Sequence, residues 1–151
     1  MSLTSRPGLL FDHMGVVVRD ISLGLKSIKT LLPVIAKTQR FDDPQLGVSV
    51  QFLRDGAGVV FELIAPLGAS SPVAKIAASR VGVINQIAYR VDDLSKAEEY
   101  FRSNGATPTG PPKPALAFGG AMVQFFYVSE GFIVELIEPP RSDLRFEPID
   151  S

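Results

Sequence analysis

Phe11-Asp12-His13-Met14-Gly15-Val16-Val17-Val18-Arg19-Asp20 returns, 73 positions on, as Ile84-Asn85-Gln86-Ile87-Ala88-Tyr89-Arg90-Val91-Asp92-Asp93. Two further stretches keep the same offset without a gap. Gly47-Val48-Ser49-Val50-Gln51-Phe52 falls on Gly120-Ala121-Met122-Val123-Gln124-Phe125, and Phe61-Glu62-Leu63-Ile64-Ala65-Pro66 falls on Val134-Glu135-Leu136-Ile137-Glu138-Pro139. Self-similarity at a fixed offset marks a structural unit whose copies bury a common core. Four polar side chains interrupt the apolar runs at equivalent points: His13 and Gln86 near the start of each copy, Glu62 and Glu135 near its end.

Working outward, residues 11–18 are rich in valine and read as a strand covered on both faces. Asp20 caps a predicted helix carrying Ile21, Leu25, Ile28 and Leu32 on one face and stopped by Pro33. Residues 36–41 form a weak strand candidate. Residues 48–53 and 59–64 read as strands joined across Asp55-Gly56-Ala57-Gly58, a hairpin signal. The second copy repeats the order: strand 84–91, a helix capped by Asp93 with Leu94, Ala97 and Phe101 facing inward, and strands 122–128 and 132–137. Each copy is therefore a βαβββ module, one over about 10–66 and the other over about 82–139. The connector, about 67–81, contains a candidate short helix at Val73–Ala77. Residues 106–119 contain Pro108, Pro111, Pro112 and Pro114 and read as a loop.

The 151 residues form one compact domain, 1–151, with 46% hydrophobic and 21% charged residues supporting a sizeable core. A net charge of −1 offers no basic footprint for nucleic acid or anionic membrane. No apolar run nears the ~20 residues of a membrane span, and no signal peptide is read at the N-terminus. The absence of cysteine excludes disulfides and thiolate ligands and fits a cytoplasmic location.

Strand side chains alternate faces, so His13 shares a face with Gly15 and Val17, while Met14, Val16 and Val18 pack against the helix. The small neighbours Gly15, Ala88 and Gly82 leave room beside His13 and Gln86. A single strand histidine or glutamate is ordinarily structural. Four such groups at equivalent points of a two-fold repeat point instead to a shared site. A carboxylate inside a Val-Val-Phe-Glu-Leu-Ile strand is costly to bury unpaired. A metal or ligand site is the reading, and a divalent cation would meet that cost for both glutamates at once.

These segments resemble the vicinal oxygen chelate superfamily, which includes glyoxalase I, methylmalonyl-CoA epimerase, extradiol dioxygenases and bleomycin-resistance proteins. The likeness covers nearly all of residues 11–139. It rests on Asp-His-x-Gly-Val-x-Val at 12–18 and on Glu-Leu-Ile-x-Pro at 62–66 and 135–139. The stretches Pro66–Lys75, Gly47–Val50 and Tyr89–Leu94 are most similar to methylmalonyl-CoA epimerases. The resemblance implies an α+β fold in which tandem βαβββ modules form a cup-shaped mixed sheet, with one divalent ion (Co, Ni, Zn, Mn or Mg) on its floor. The ion would be held by His13, Glu62, Gln86 and Glu135, whose one nitrogen and three oxygen donors suit an ion of hard or borderline character. It also implies a homodimer and a metal-dependent epimerase, isomerase or lyase that removes a proton α to a carbonyl, with Glu135 as first base and Glu62 as second. The substrate would be an acyl-CoA thioester or a glutathione adduct. The alternatives are a glyoxalase I-like lactoylglutathione lyase and a non-catalytic small-molecule-binding resistance protein. An extradiol dioxygenase is disfavoured, since its iron wants two histidines and this chain has one. Two departures stand out. Gln86 replaces the histidine usual in such epimerases, and strand 47–53 lacks the extra carboxylate that some of them carry. Loop 106–120 could cover the cup mouth. Lys113 reads as a solvated lysine, and Arg90 is expected to pair with Asp92.

Overall fold

A computed structural model describes residues 5–81 and 83–149. Gly82, named above for the room it leaves, lies outside them. The first half runs β1 (Leu10–Val17), α1 (Ile21–Leu31), β2 (Val34–Lys37), β3 (Phe41–Asp43), β4 (Val48–Asp55) and β5 (Val60–Pro66). A connector carrying α2 (Ala74–Ser79) leads to β6 (Ile84–Arg90), α3 (Leu94–Ser103), β7 (Thr107–Pro108) and β8 (Lys113–Ala115). A short 3-10 helix (Leu116–Phe118), β9 (Ala121–Tyr127), β10 (Ile133–Ile137) and β11 (Glu147–Pro148) follow.

The strands form one open mixed sheet, ordered β11-β2-β4-β5-β1-β6-β10-β9-β7, with β3 and β8 paired off the main path to β4 and β9. Apart from β11 at one edge, the order is palindromic about the β1–β6 seam. β1 lies parallel to β5 and β6 parallel to β10, whereas β1 and β6 run antiparallel to each other. The α+β class, the tandem arrangement and the four central strands β5, β1, β6 and β10 therefore agree with the sequence reading.

Local chemistry explains the elements. Asp20 and Asp93, equivalent in the repeat, accept hydrogen bonds from the Leu23 and Lys96 amides at 2.9 and 3.0 Å and so cap α1 and α3. In the β4–β5 hairpin Asp55 accepts from the amides of Ala57 and Val59, and Gly58 takes the positive φ that closes the turn. One face of the sheet carries α1 and α3. Ile21, Leu25 and Ile28 of α1 pack on Val16, Leu53, Leu63 and Ala65, and Leu94, Ala97 and Phe101 of α3 pack on Phe126 and Leu136. The other face curls around a third cluster that includes Val17, Val50, Phe52, Ile64, Phe118, Val123 and Ile137.

Three expectations need correction. Leu32 lies past the end of α1 and is half exposed, because the helix ends where Pro33 removes the next donor. The 36–41 candidate splits into β2 and β3. Segment 106–119 is not plain loop: it holds β7, β8 and the 3-10 helix. Pro108 and Pro114 sit on short outlying strands, where a missing amide donor is tolerated.

Candidate active site

The four central strands each send one polar side chain to the floor of the cup: Glu62 from β5, His13 from β1, Gln86 from β6 and Glu135 from β10. All four are buried. Glu62 Oε1 lies 3.2 Å from His13 Nε2, and Glu135 Oε1 lies 3.4 Å from it. The Gln86 amide nitrogen donates to the same two oxygens, at 3.0 Å to Glu62 and 3.3 Å to Glu135. Gly15 makes this possible, because a Cβ there would collide with Gln86 Cγ and lie 2.9 Å from Ile64 Cδ1.

His13 is held from behind. The β1–β6 register breaks between Phe11 and His13, leaving Asp12 as an extra, bulged residue. Its carboxylate turns to accept from His13 Nδ1 at 2.7 Å. Arg141, in the segment after β10, reaches the same carboxylate at 2.8 Å, and Arg90 lies 3.4 Å away. Arg90 therefore faces Asp12 rather than the expected Asp92, which is exposed. Burial alone would raise the Asp12 pKa, but the His13 hydrogen bond and the two arginines outweigh it and hold the group below its usual value. Burial would likewise lower the His13 pKa. The hydrogen bonds to Asp12, Glu135 and Glu62 raise it well above its usual value instead. Glu135 is pushed up by burial and by the Glu62 charge, against the opposing pull of His13.

Above the floor lies a cavity of about 460 Å³. Glu62, Gln86 and Glu135 line it, as do Val48, Val50 and Ile64 of the first half, Val73 and Ile76 of the connector, and Val123, Phe125 and Ile133 of the second. Thr109, Gly110, Pro111 and Lys113 of the proline-rich segment complete its wall, so that segment does border the cup. His13 does not line the cavity. Phe52 stands edge-on to its ring at 5.2 Å and Phe118 lies at 6.1 Å. The Arg141 guanidinium covers the Phe118 ring at 4.8 Å.

The donor set fits a divalent cation. His13, Glu62 and Glu135 offer ligand atoms that lie within 4.8 Å of one another. Half a turn of the Gln86 amide would present its oxygen where the nitrogen now stands. With the imidazolium, the two carboxylates leave one negative charge uncompensated on the floor. With a neutral imidazole, a divalent ion cancels both.

The glyoxalase/bleomycin resistance protein/dioxygenase superfamily pattern matches residues 12–125. The chain belongs to this superfamily. An ethylmalonyl-CoA/methylmalonyl-CoA epimerase of Cereibacter sphaeroides is 28% identical over 128 residues, covering 83% of this chain and 94% of the relative. Among solved structures, methylmalonyl-CoA epimerase from Mycobacterium tuberculosis superposes with a TM-score of 0.73 at 27% identity, covering 93% of each chain. A hypothetical protein of Bacillus halodurans superposes with a TM-score of 0.75 at 27% identity, over 90% of this chain and 98% of that one. No helix among the described residues is long and apolar enough to cross a membrane. The two copies of the repeat meet within this one chain, where β1 pairs with β6.

The sequence reading brought forward all four floor residues. It missed Asp12, Arg141, Phe52, Phe118 and Asn85. A usable signal existed for two of them: Asp12 and Asn85 are repeat-equivalent and immediately precede His13 and Gln86. Arg141 lies beyond the last matched repeat segment and carried no such signal.

Proposed function

We propose that the protein is a metal-dependent isomerase that removes a proton α to a carbonyl group, in the manner of the epimerases it resembles. The observation that carries this reading is the convergence of two buried carboxylates, an imidazole and an amide from four adjacent strands beneath a largely apolar cavity. His13, Glu62 and Glu135 would hold the ion, with Gln86 as a fourth ligand through its amide oxygen. When bound, the ion supplies Lewis-acid stabilisation of the charge that develops on the substrate carbonyl. Glu135 takes the α-proton, and the apolar walls formed by Val50, Ile64 and Val123 keep competing water away. Asp12 fixes the His13 ring by accepting from Nδ1, the partnership a ligating histidine needs.

An epimerisation by two bases needs a second acid–base group. The wall strand β4 presents Val48 and Val50 to the cavity and no acid. Asp43 also lines the cavity, but its two carboxylate oxygens accept from the amides of Gln45, Leu46 and Leu116, which leaves Glu62, the two-fold mate of Glu135, as the second group. This arrangement also favours a second reading, a proton shift between adjacent carbons, in which one base both removes and returns the proton. A lyase acting on a glutathione hemithioacetal works in this way, and an epimerase acting on an acyl-CoA thioester does not.

Incubation of metal-loaded protein in heavy water, with methylmalonyl-CoA and separately with the methylglyoxal–glutathione hemithioacetal, tests both readings by proton NMR. Exchange or turnover of one of them is expected. Glu135→Gln should slow it about 1,000-fold or more, roughly 4 kcal/mol of barrier, with circular dichroism unchanged. Undiminished exchange in that variant would remove Glu135 from the role of base.

A further inference from the structure

The β1–β6 register breaks twice. Besides the bulge at Asp12, it breaks between Gly15 and Val16, where Val16 pairs with Ile84 and the extra residue is Asn85. Asp12 and Asn85 are equivalent in the repeat, and each directly precedes a floor residue. Their surroundings differ. Asp12 is saturated by His13, Arg141 and Arg90. The positions equivalent to those arginines in the other copy are Gly68 and Val17, which bring no charge. Asn85 lines the 460 Å³ cavity, and its side-chain oxygen is shielded from solvent with no hydrogen-bond partner.

A polar atom removed from water without a partner costs about 1–3 kcal/mol, and bulges beside active sites commonly re-aim a side chain. We propose that Asn85 is a specificity-determining residue of this cavity, whose carboxamide accepts a hydrogen bond from a hydroxyl or N–H group of the bound compound. A half-turn about χ2 exchanges the amide oxygen and nitrogen, so either can face the cavity. The assignment rests on the reading of the floor as a carbonyl-binding metal site. It adds that the preferred ligand carries a hydrogen-bond donor near the carbonyl or carboxylate held there, while the rest of its body meets the apolar wall of Val48, Val50 and Phe125.

Two probe acids that differ by one hydroxyl test this: tropate and 2-phenylpropanoate. Their binding to zinc-loaded protein is followed by ligand-observed NMR, for wild type, Asn85→Leu and Asn85→Ala, with zinc content measured first. Wild type should bind tropate more tightly. Either variant should weaken tropate about 10-fold, the scale of one neutral hydrogen bond, and change 2-phenylpropanoate less than about 2-fold, at unchanged zinc content. The Ala variant keeps the test valid if leucine does not fold. Equal losses for both acids, no loss for either, or binding of neither acid to zinc-loaded wild type overturns the assignment and leaves the metal reading standing. Failure of wild type to take up zinc overturns both.

Discussion

The two ends of the cup floor repeat one sequence pattern. Asp12–His13 and Asn85–Gln86 sit on equivalent strands, each pair with its first residue on a bulge, yet only Asn85 and Gln86 line the cavity. On the His13 side Phe52 and Phe118 pack against the ring, Arg141 covers Phe118, and the histidine is fully buried. On the Gln86 side Phe125, the equivalent of Phe52, is only partly buried and lines the cavity. The repeat supplies a symmetric backbone and a symmetric set of inward polar groups. Unequal filling then turns one end into an anchor and the other into an entrance. A ligand reaching the floor meets Gln86, Glu62 and Glu135, while His13 is held behind them.

The sharpest way to break this contrast is to truncate the two equivalent phenylalanines. Phe52→Ala should cost about 3–5 kcal/mol, as for a fully buried aromatic. Phe125→Ala removes a side chain that already faces a cavity and should cost about 1–2 kcal/mol. Urea unfolding of both variants checks this, and equal costs would mean that the two ends are packed alike.

Asp12→Asn comes next. It leaves the His13 and Arg141 side chains without their buried anion, which should cost about 3 kcal/mol and weaken metal binding about 10- to 100-fold. Asn85→Ala, at the equivalent bulge, removes an unpartnered oxygen and should leave stability unchanged or raise it by up to about 1–3 kcal/mol. Thermal unfolding and a chelator competition separate the two effects.

The smallest expected effect is the pH dependence of the metal-free protein. The His13 pKa is raised by the Asp12, Glu135 and Glu62 carboxylates around it, with Arg141 and Arg90 beyond them on Asp12. Its contribution to stability is fully present below about pH 6.5 and is lost as pH rises through the folded-state value. Glu135, raised by burial, adds in the same direction, since its ionised form is the disfavoured one in the fold. Metal-free protein should therefore lose stability steadily from neutral to alkaline pH, as followed by thermal melts. A rise in stability over that range would show that His13 is neutral in the metal-free fold.

The floor was legible in the sequence because polar residues in otherwise apolar strands stand out, and the 73-residue offset tied the four together. The bulges were not legible. Strict alternation puts Asp12 and Asn85 on the face opposite His13 and Gln86, and only the register of β1 against β6 shows an extra residue at each point. The same bulge explains the failed pairing of Arg90 with Asp92, because it turns Asp12 into reach of Arg90. Arg141 could not be foreseen, since it reaches the site from 129 residues beyond Asp12 in the chain. The sealing of one end by Phe52 and Phe118 depends on ring positions that periodicity does not encode.

The central claim is that these four floor residues bind a divalent ion. Calorimetric titration of chelator-treated protein with zinc, in two buffers of different ionisation enthalpy, measures both the ions bound and the protons released. The account predicts about one ion per chain, with proton release because His13 must give up its Nε2 proton to become a ligand. It also predicts loss of uptake in a Glu62→Gln/Glu135→Gln double variant. No uptake by the wild type, or uptake unchanged in the double variant, would contradict it.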